Sequence, residues 1–222
     1  SGVGAVSEFR AQSGLALVSA ASAYHGGHDG QSVKVGVVDS GIDANHSELA
    51  GHATGGGDWQ SASNGLFDPF GHGTHVASTA AGVKDGKGMH GVAYNADIIG
   101  IQMLGAASEY GIAYASDQGA IATNMSWGFV NPDKSGVQYT IGWLSYESVY
   151  NSMKAEFNAA IAANSGLGNV LVAAAGNDGY TDHVSAPALF AQDSRLEGIM
   201  IAVGSVDSDN GISSFSNRCK QA

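Results

Sequence analysis

The 222-residue sequence predicts an α/β fold built on a mostly parallel sheet. Three observations predict it. Runs of β-branched and apolar residues at Val33 to Val38, Ile98 to Gln102 and Val170 to Ala175 have the continuous apolar character of strands buried on both faces. Segments with helical spacing lie between those runs. The composition, with 33 glycines and many alanines, favours tight turns and close packing of helices on a sheet over a coiled or disordered chain.

Each element follows in order. Val33, Val35, Val37 and Val38 form a strand that ends in Asp39-Ser40-Gly41. His72 stands between two glycines and opens a helix of small residues, Val76, Ala77, Thr79, Ala80 and Ala81, suited to tight packing on a sheet. A turn-rich link, Gly86 to Asn95, leads into the strand Ile98 to Gln102, and Ile112 to Ala122 reads as a short helix. Val130 to Ser145, with Pro132, Gly136 and aromatic residues, reads as a surface insertion near a substrate groove. Val149, Met153, Phe157, Ala160 and Ile161 give Tyr146 to Ala163 a helical stripe whose expected role is core packing. Val170 to Asn177 is an apolar strand running into Gly-Asn, and Asp207 to Gly211 reads as a hairpin turn. Neither repeats nor a linker divide the chain.

The chemistry concentrates at two places. A carboxylate at the carboxyl end of a buried strand, such as Asp39, sits where open α/β sheets place working groups, because the loops there face a crevice. A histidine opening the next helix can point back at it. Serine is a weak nucleophile, so an imidazole must take its proton while a buried carboxylate fixes the tautomer and stabilises the imidazolium.

Val35-Gly-Val-Val-Asp-Ser-Gly-Ile-Asp43 and Gly71-His-Gly-Thr-His-Val-Ala77 together resemble the acid and base stations of the subtilisin-like serine proteases, in the family's chain order of Asp, then His, then Ser. The resemblance implies a three-layer α/β domain with helices on both faces of the sheet. It assigns Asp39 and His72 to the triad and leaves His75 to pack the helix. Val170 to Asn177 is similar to the stretch carrying the family's oxyanion donor, so Asn177 is expected to donate to the developing oxyanion, a role worth about 3 to 4 kcal/mol. Asn124-Met-Ser-Trp-Gly128 is similar to the substrate-binding edge, where the backbone of Ser126, Trp127 and Gly128 would pair with an extended peptide. Trp127 replaces a more usual aliphatic residue. Ala173, Ala174, Ala175 and Gly176 are expected to line the pocket for the residue before the scissile bond. Gln12 to Leu15 with Ala20 to Tyr24 resembles the family's N-terminal helix.

The family's nucleophile lies in Gly-Thr-Ser about 65 residues after the oxyanion asparagine, whereas only 45 residues follow Asn177. Residues 1–222 are therefore expected to be the N-terminal and central part of a single catalytic domain, with the serine in sequence beyond Ala222. Ser213 to Cys219, the N-terminal segment and Ile199 to Gly204 are most similar to the bacterial autotransporter branch. That branch implies a secreted or outer-surface enzyme with a downstream membrane-anchoring barrel. Cys219, the single cysteine, either pairs with a downstream cysteine or is a free thiol near a frayed end.

The resemblance implies no required cofactor. Val83 to Met89 has the length of the family's calcium loop, with Asp85 and Glu48 as candidate oxygen ligands, although Lys84 and Lys87 oppose a cation. A net charge of −11 and only nine Lys and Arg argue against nucleic-acid or anionic membrane surfaces, and the resemblance implies polypeptide substrates. Gly86 to Gly91 matches a dinucleotide glycine pattern but precedes a strand rather than a helix, and His72 to His75 lacks a zinc protease's glutamate and spacing. The competing function is a catalytically inactive fold of the same family that grips extended peptides.

Overall fold

The computed structural model describes residues 2–58, 64–103, 108–129 and 168–219, with a few further positions between 140 and 158. Three short helices, α1 (Gly2–Ala11), α2 (Ser13–Leu17) and α3 (Ala20–His25), precede strand β1 (Lys34–Asp39). Then come β2 (Ala53–Asp58), helix α4 (His72–Ala81), β3 (Asp97–Gln102), α5 (Ser108–Asp117), β4 (Ala122–Met125), a small hairpin of β5 (Thr140–Ile141) and β6 (Leu144–Ser145), β7 (Val170–Ala174) and β8 (Met200–Val203). Six strands form one sheet in the order β2-β3-β1-β4-β7-β8, every neighbouring pair parallel.

Alternation of side chains along the strands creates two cores. Val37 and Ile98 point to one face and join Ile42, Leu49, Ala77 and Ala81, so α4 covers that side. Val38, Ile99 and Ile101 point to the other and join Ile112 and Ala115 of α5, with Met125, Phe157, Leu171, Phe190 and Leu196. Helices on both faces of a parallel sheet make the three-layer α/β arrangement that the sequence predicts. No described helix is long and apolar enough to cross a membrane.

The helix expected over Ile112 to Ala122 ends earlier, at Asp117. The Ala120 amide donates to the Ala115 carbonyl and the Gly119 amide to that of Ser116, both at 2.9 Å, while Gly119 adopts φ +86°. That is a Schellman stop. Ile121 and Ala122, apolar enough to extend a helical pattern, instead lead into β4. The helix and the insertion expected over residues 130–163 lie largely outside the described residues, although Phe157 is buried against Phe190 with ring centroids 5.2 Å apart. The expected turn at Asp207 closes through the Asp207 carboxylate, which accepts the amides of Asp209 and Gly211.

β1 lies between β3 and β4, the point at which the strand order reverses direction. Parallel strands present all their carboxyl ends on one side, and a crevice opens at such a reversal. β8 ends the row and carries the exposed side chains Ile201 and Val203, with Val206, Ile212 and Phe215 also exposed nearby.

Candidate active site

β1 delivers Asp39 into this crevice, where the residue is 4% exposed. Its Oδ1 accepts the Ser40 amide at 2.7 Å and lies 2.7 Å from Nδ1 of His72, the first residue of α4. The histidine side chain is 56% exposed. One edge of the imidazole is thus held by a buried acid while much of the ring remains open to solvent. Asp39 Oδ2 is buried without a partner among the described residues, and the bonds with the Ser40 amide and the His72 ring both fall on Oδ1. Gly73 permits the approach: a Cβ there would collide with the Gly41 carbonyl and lie 3.1 Å from Asp39 Cβ.

Asp68, which the sequence reading missed, ties the two stations together. Its Oδ1 accepts the Ser40 hydroxyl at 2.8 Å and the amides of Phe70 and Gly71 at 3.1 and 2.9 Å. Its Oδ2 accepts the Thr74 hydroxyl at 2.6 Å and the Thr74 amide at 2.9 Å. Ser40 Oγ in turn accepts the Gly73 amide at 2.9 Å. One carboxylate therefore caps α4 and grips the end of β1. Burial works against the ionised form, but the hydrogen bonds from Thr74, Ser40 and Phe70 outweigh it and hold the Asp68 carboxyl below the ordinary aspartate range.

Ser126, Trp127 and Gly128 follow β4 at the same end of the sheet. Ser126 Oγ accepts from Asn124 Nδ2 at 2.9 Å, and the Trp127 indole N–H donates to the Val38 carbonyl at 2.9 Å. That bond fixes the indole beside the Asp39–His72 pair. Trp127 with Phe70, Met103, Asp39, Ser40 and His72 lines a cavity of about 240 Å³. Gly128 lies close against Ser185, and Phe129 exchanges two 3.0 Å backbone bonds with Ala186.

Asn177 follows Gly176, which has φ +107°, at the carboxyl end of β7, and its side chain is exposed. The four residues expected to line the pocket divide between the two faces of the sheet. Ala173 and Ala175 are 0% and 4% exposed and belong to the core cluster with Phe190 and Leu196. A strand sends alternate side chains to opposite faces, so at Ala173 and Ala175 it is the backbone that is left to line a pocket. Ala174 and Gly176, both partly exposed, lie on the accessible alternation.

The expected calcium ligands diverge. Asp85 is exposed and turns back on its own loop, accepting the Lys87 amide at 3.0 Å. Glu48 instead lies against Gly88, and its Oε2 is buried without a partner among the described residues. Glu8, absent from the sequence reading, reaches the same loop: Oε1 accepts the amides of Gly86 and Lys87 at 2.9 and 3.0 Å, and Oε2 is buried without a partner among the described residues. Two such carboxylate oxygens around one loop fit the ligand type of a hard cation. Among the described residues, no group of three or more His, Cys, Asp or Glu is arranged to hold a metal ion.

A model of the subtilase family, peptidase group S8, matches residues 30–222. The chain belongs to the subtilase family. Subtilisin DY of Bacillus licheniformis is 33% identical to this subtilase over 214 residues, which covers 92% of the chain and 67% of that protein. An extracellular serine protease of Serratia marcescens is 37% identical over 147 residues, 62% of the chain and 13% of that enzyme. Among solved structures, a cold-adapted subtilisin-like serine proteinase matches with a TM-score of 0.61 at 27% identity, over 85% of this chain and 60% of that one. The MycP3 protease of a type VII secretion system matches in fold, with a TM-score of 0.68 at 24% identity over 93% and 61% of the two chains. The subtilase described here spans only part of the length of each.

Proposed function

We propose that this chain carries the acid, base and oxyanion stations of a secreted serine endopeptidase. The observation that carries the reading is the 2.7 Å contact between the buried Asp39 carboxylate and the open His72 ring. His72 Nε2 takes the proton of a serine hydroxyl as that oxygen attacks the peptide carbonyl, and later gives it to the leaving amine. Asp39 accepts the Nδ1 proton and stabilises the imidazolium. Asn177 donates to the oxygen on which negative charge develops. The backbone at Ser126 to Gly128 pairs with the substrate as an added strand, while Ala174 and Gly176 flank the pocket.

The serine is supplied by sequence outside residues 1–222, and the isolated chain is inactive. The exposed apolar side chains on and around β8 support a covering segment of the same domain. Secretion is supported by the Serratia relative, which is named an extracellular protease. The proposal extends to the bacterial outer surface, with a barrel downstream. Peptide hydrolysis requires no cofactor in this reading. Calcium, where bound, has a structural role at the 83–89 loop, with Glu8 and Glu48 as its carboxylates.

Kinetics of the complete enzyme test the reading. His72→Ala lowers turnover by several orders of magnitude in a folded protein. Asn177→Leu lowers it roughly a hundred- to a thousand-fold with little change in KM, because the bond forms mainly in the transition state. Near-normal turnover in His72→Ala would place the base elsewhere.

A further inference from the structure

The loop bearing Asn177 is held by a side chain forty residues further along the sequence. Asn217 is 1% exposed. Its Oδ1 accepts the backbone amides of Asp178 and Tyr180 at 2.9 and 3.0 Å. Its Nδ2 donates to Asp178 Oδ2 at 3.1 Å and to Ser185 Oγ at 3.4 Å. These four bonds use the full capacity of a carboxamide, two acceptor sites and two donors. The Asn217 backbone amide adds a fifth, to the Gly176 carbonyl at 2.9 Å.

These bonds fall on both sides of residue 177. Gly176 is pinned before it, while Asp178 and Tyr180 are pinned after it. Asn217 also packs directly beneath the glycine, since a Cβ on Gly176 would run into Ser185 Oγ and Asn217 Nδ2. A surface loop of this kind otherwise has freedom to move, and an oxyanion donor needs its position fixed before the reaction begins. Asn177 itself is exposed. Its placement therefore depends on the backbone on either side.

We propose that Asn217 is a positioning residue for the oxyanion donor, a buried amide that fixes the Gly176–Tyr180 backbone so that Asn177 meets the charge developing on the substrate. The proposal rests on the reading of Asn177 as that donor. Aspartate cannot substitute for it: a carboxylate keeps the two acceptor bonds but loses the donor to Ser185 and sets a negative charge against Asp178. Misplacement of a catalytic group by about 1 Å costs on the order of a hundred-fold in rate.

The test is a double-mutant cycle in the complete enzyme, reading kcat and KM separately, with circular dichroism melts to identify folded variants. Asn217→Ala, or Asn217→Asp if the alanine variant does not fold, is expected to lower kcat roughly ten- to a hundred-fold with KM within about twofold. In the Asn177→Leu background the same change is expected to lower kcat less than about threefold, because the donor being positioned is already gone. Equal losses in both backgrounds would overturn the proposal, as would a folded Asn217 variant with normal kcat. A silent Asn177→Leu would remove the oxyanion reading itself, and with it this role for Asn217. That failure appears in the single mutant, apart from any Asn217 result.

Discussion

Replacing Asp68 with alanine tests whether one carboxylate holds the two stations together. Five donors face it, but the Phe70 and Gly71 amides are at exposed residues and can turn to water. The Ser40 hydroxyl, the Thr74 hydroxyl and the Thr74 amide are partly buried. At about 1 kcal/mol for each of these three bonds, the loss is about 3 kcal/mol. A domain of this size shifts its melting temperature by about 2 to 4 °C per kcal/mol, so a fall of roughly 6 to 12 °C is expected at pH 7. The pH dependence has a definite sign. Because the folded carboxyl titrates below its unfolded value, its contribution is fully present above about pH 4 and disappears as pH falls through the lowered folded value. Thermal melts of wild type and Asp68→Ala between pH 2.5 and 7 should therefore draw closer together toward the acid end. A shift under about 2 °C at neutral pH, or a gap that widens as the pH falls, would refute the reasoning.

Gly73→Ala should yield little soluble protein, because the added methyl meets the Gly41 carbonyl where α4 crosses the end of β1; expression beside a Gly14→Ala control, where no atom lies within 4 Å of the added carbon and the backbone is helical, separates the collision from a general glycine effect. Removing calcium with a chelator should lower the melting temperature if Glu8 and Glu48 share a cation, and Glu8→Gln should reduce that sensitivity. An unchanged melt in chelator would mean that the loop is held by its hydrogen bonds, those to Glu8 and Asp85 among them, without a cation.

The sheet and the Asp39–His72 pair were legible because both are written locally: an apolar run ending in an acid, and a glycine-flanked histidine opening a helix of small residues. Asp68, Glu8 and Asn217 left no comparable mark. Glu8 binds the amides of residues 86 and 87, and Asn217 those of residues 178 and 180, so their partners are backbone groups that any sequence would supply. Asp68 lies nearer its partners, yet its meaning depends on Ser40 arriving from the end of β1. At Ala173 to Gly176 the linear motif does not say which side chains turn inward. The alternation of a strand divides those residues between core and crevice.

The central position of β1 has a consequence for biosynthesis. Its partners are Asp97–Gln102 on one side and Ala122–Asn124 on the other, so the strand is synthesised about 60 residues before either neighbour begins to appear. At roughly 5 to 20 residues per second, Val37 and Val38 wait about 3 to 12 seconds for the first of them. The strand that carries Asp39 is thus the earliest of the sheet to leave the ribosome, yet it lacks both lateral partners throughout that interval. A nascent chain of this protein passes through a stage at which its acid station exists only as a sticky, unpaired ribbon, and that stage is when a chaperone has most to bind.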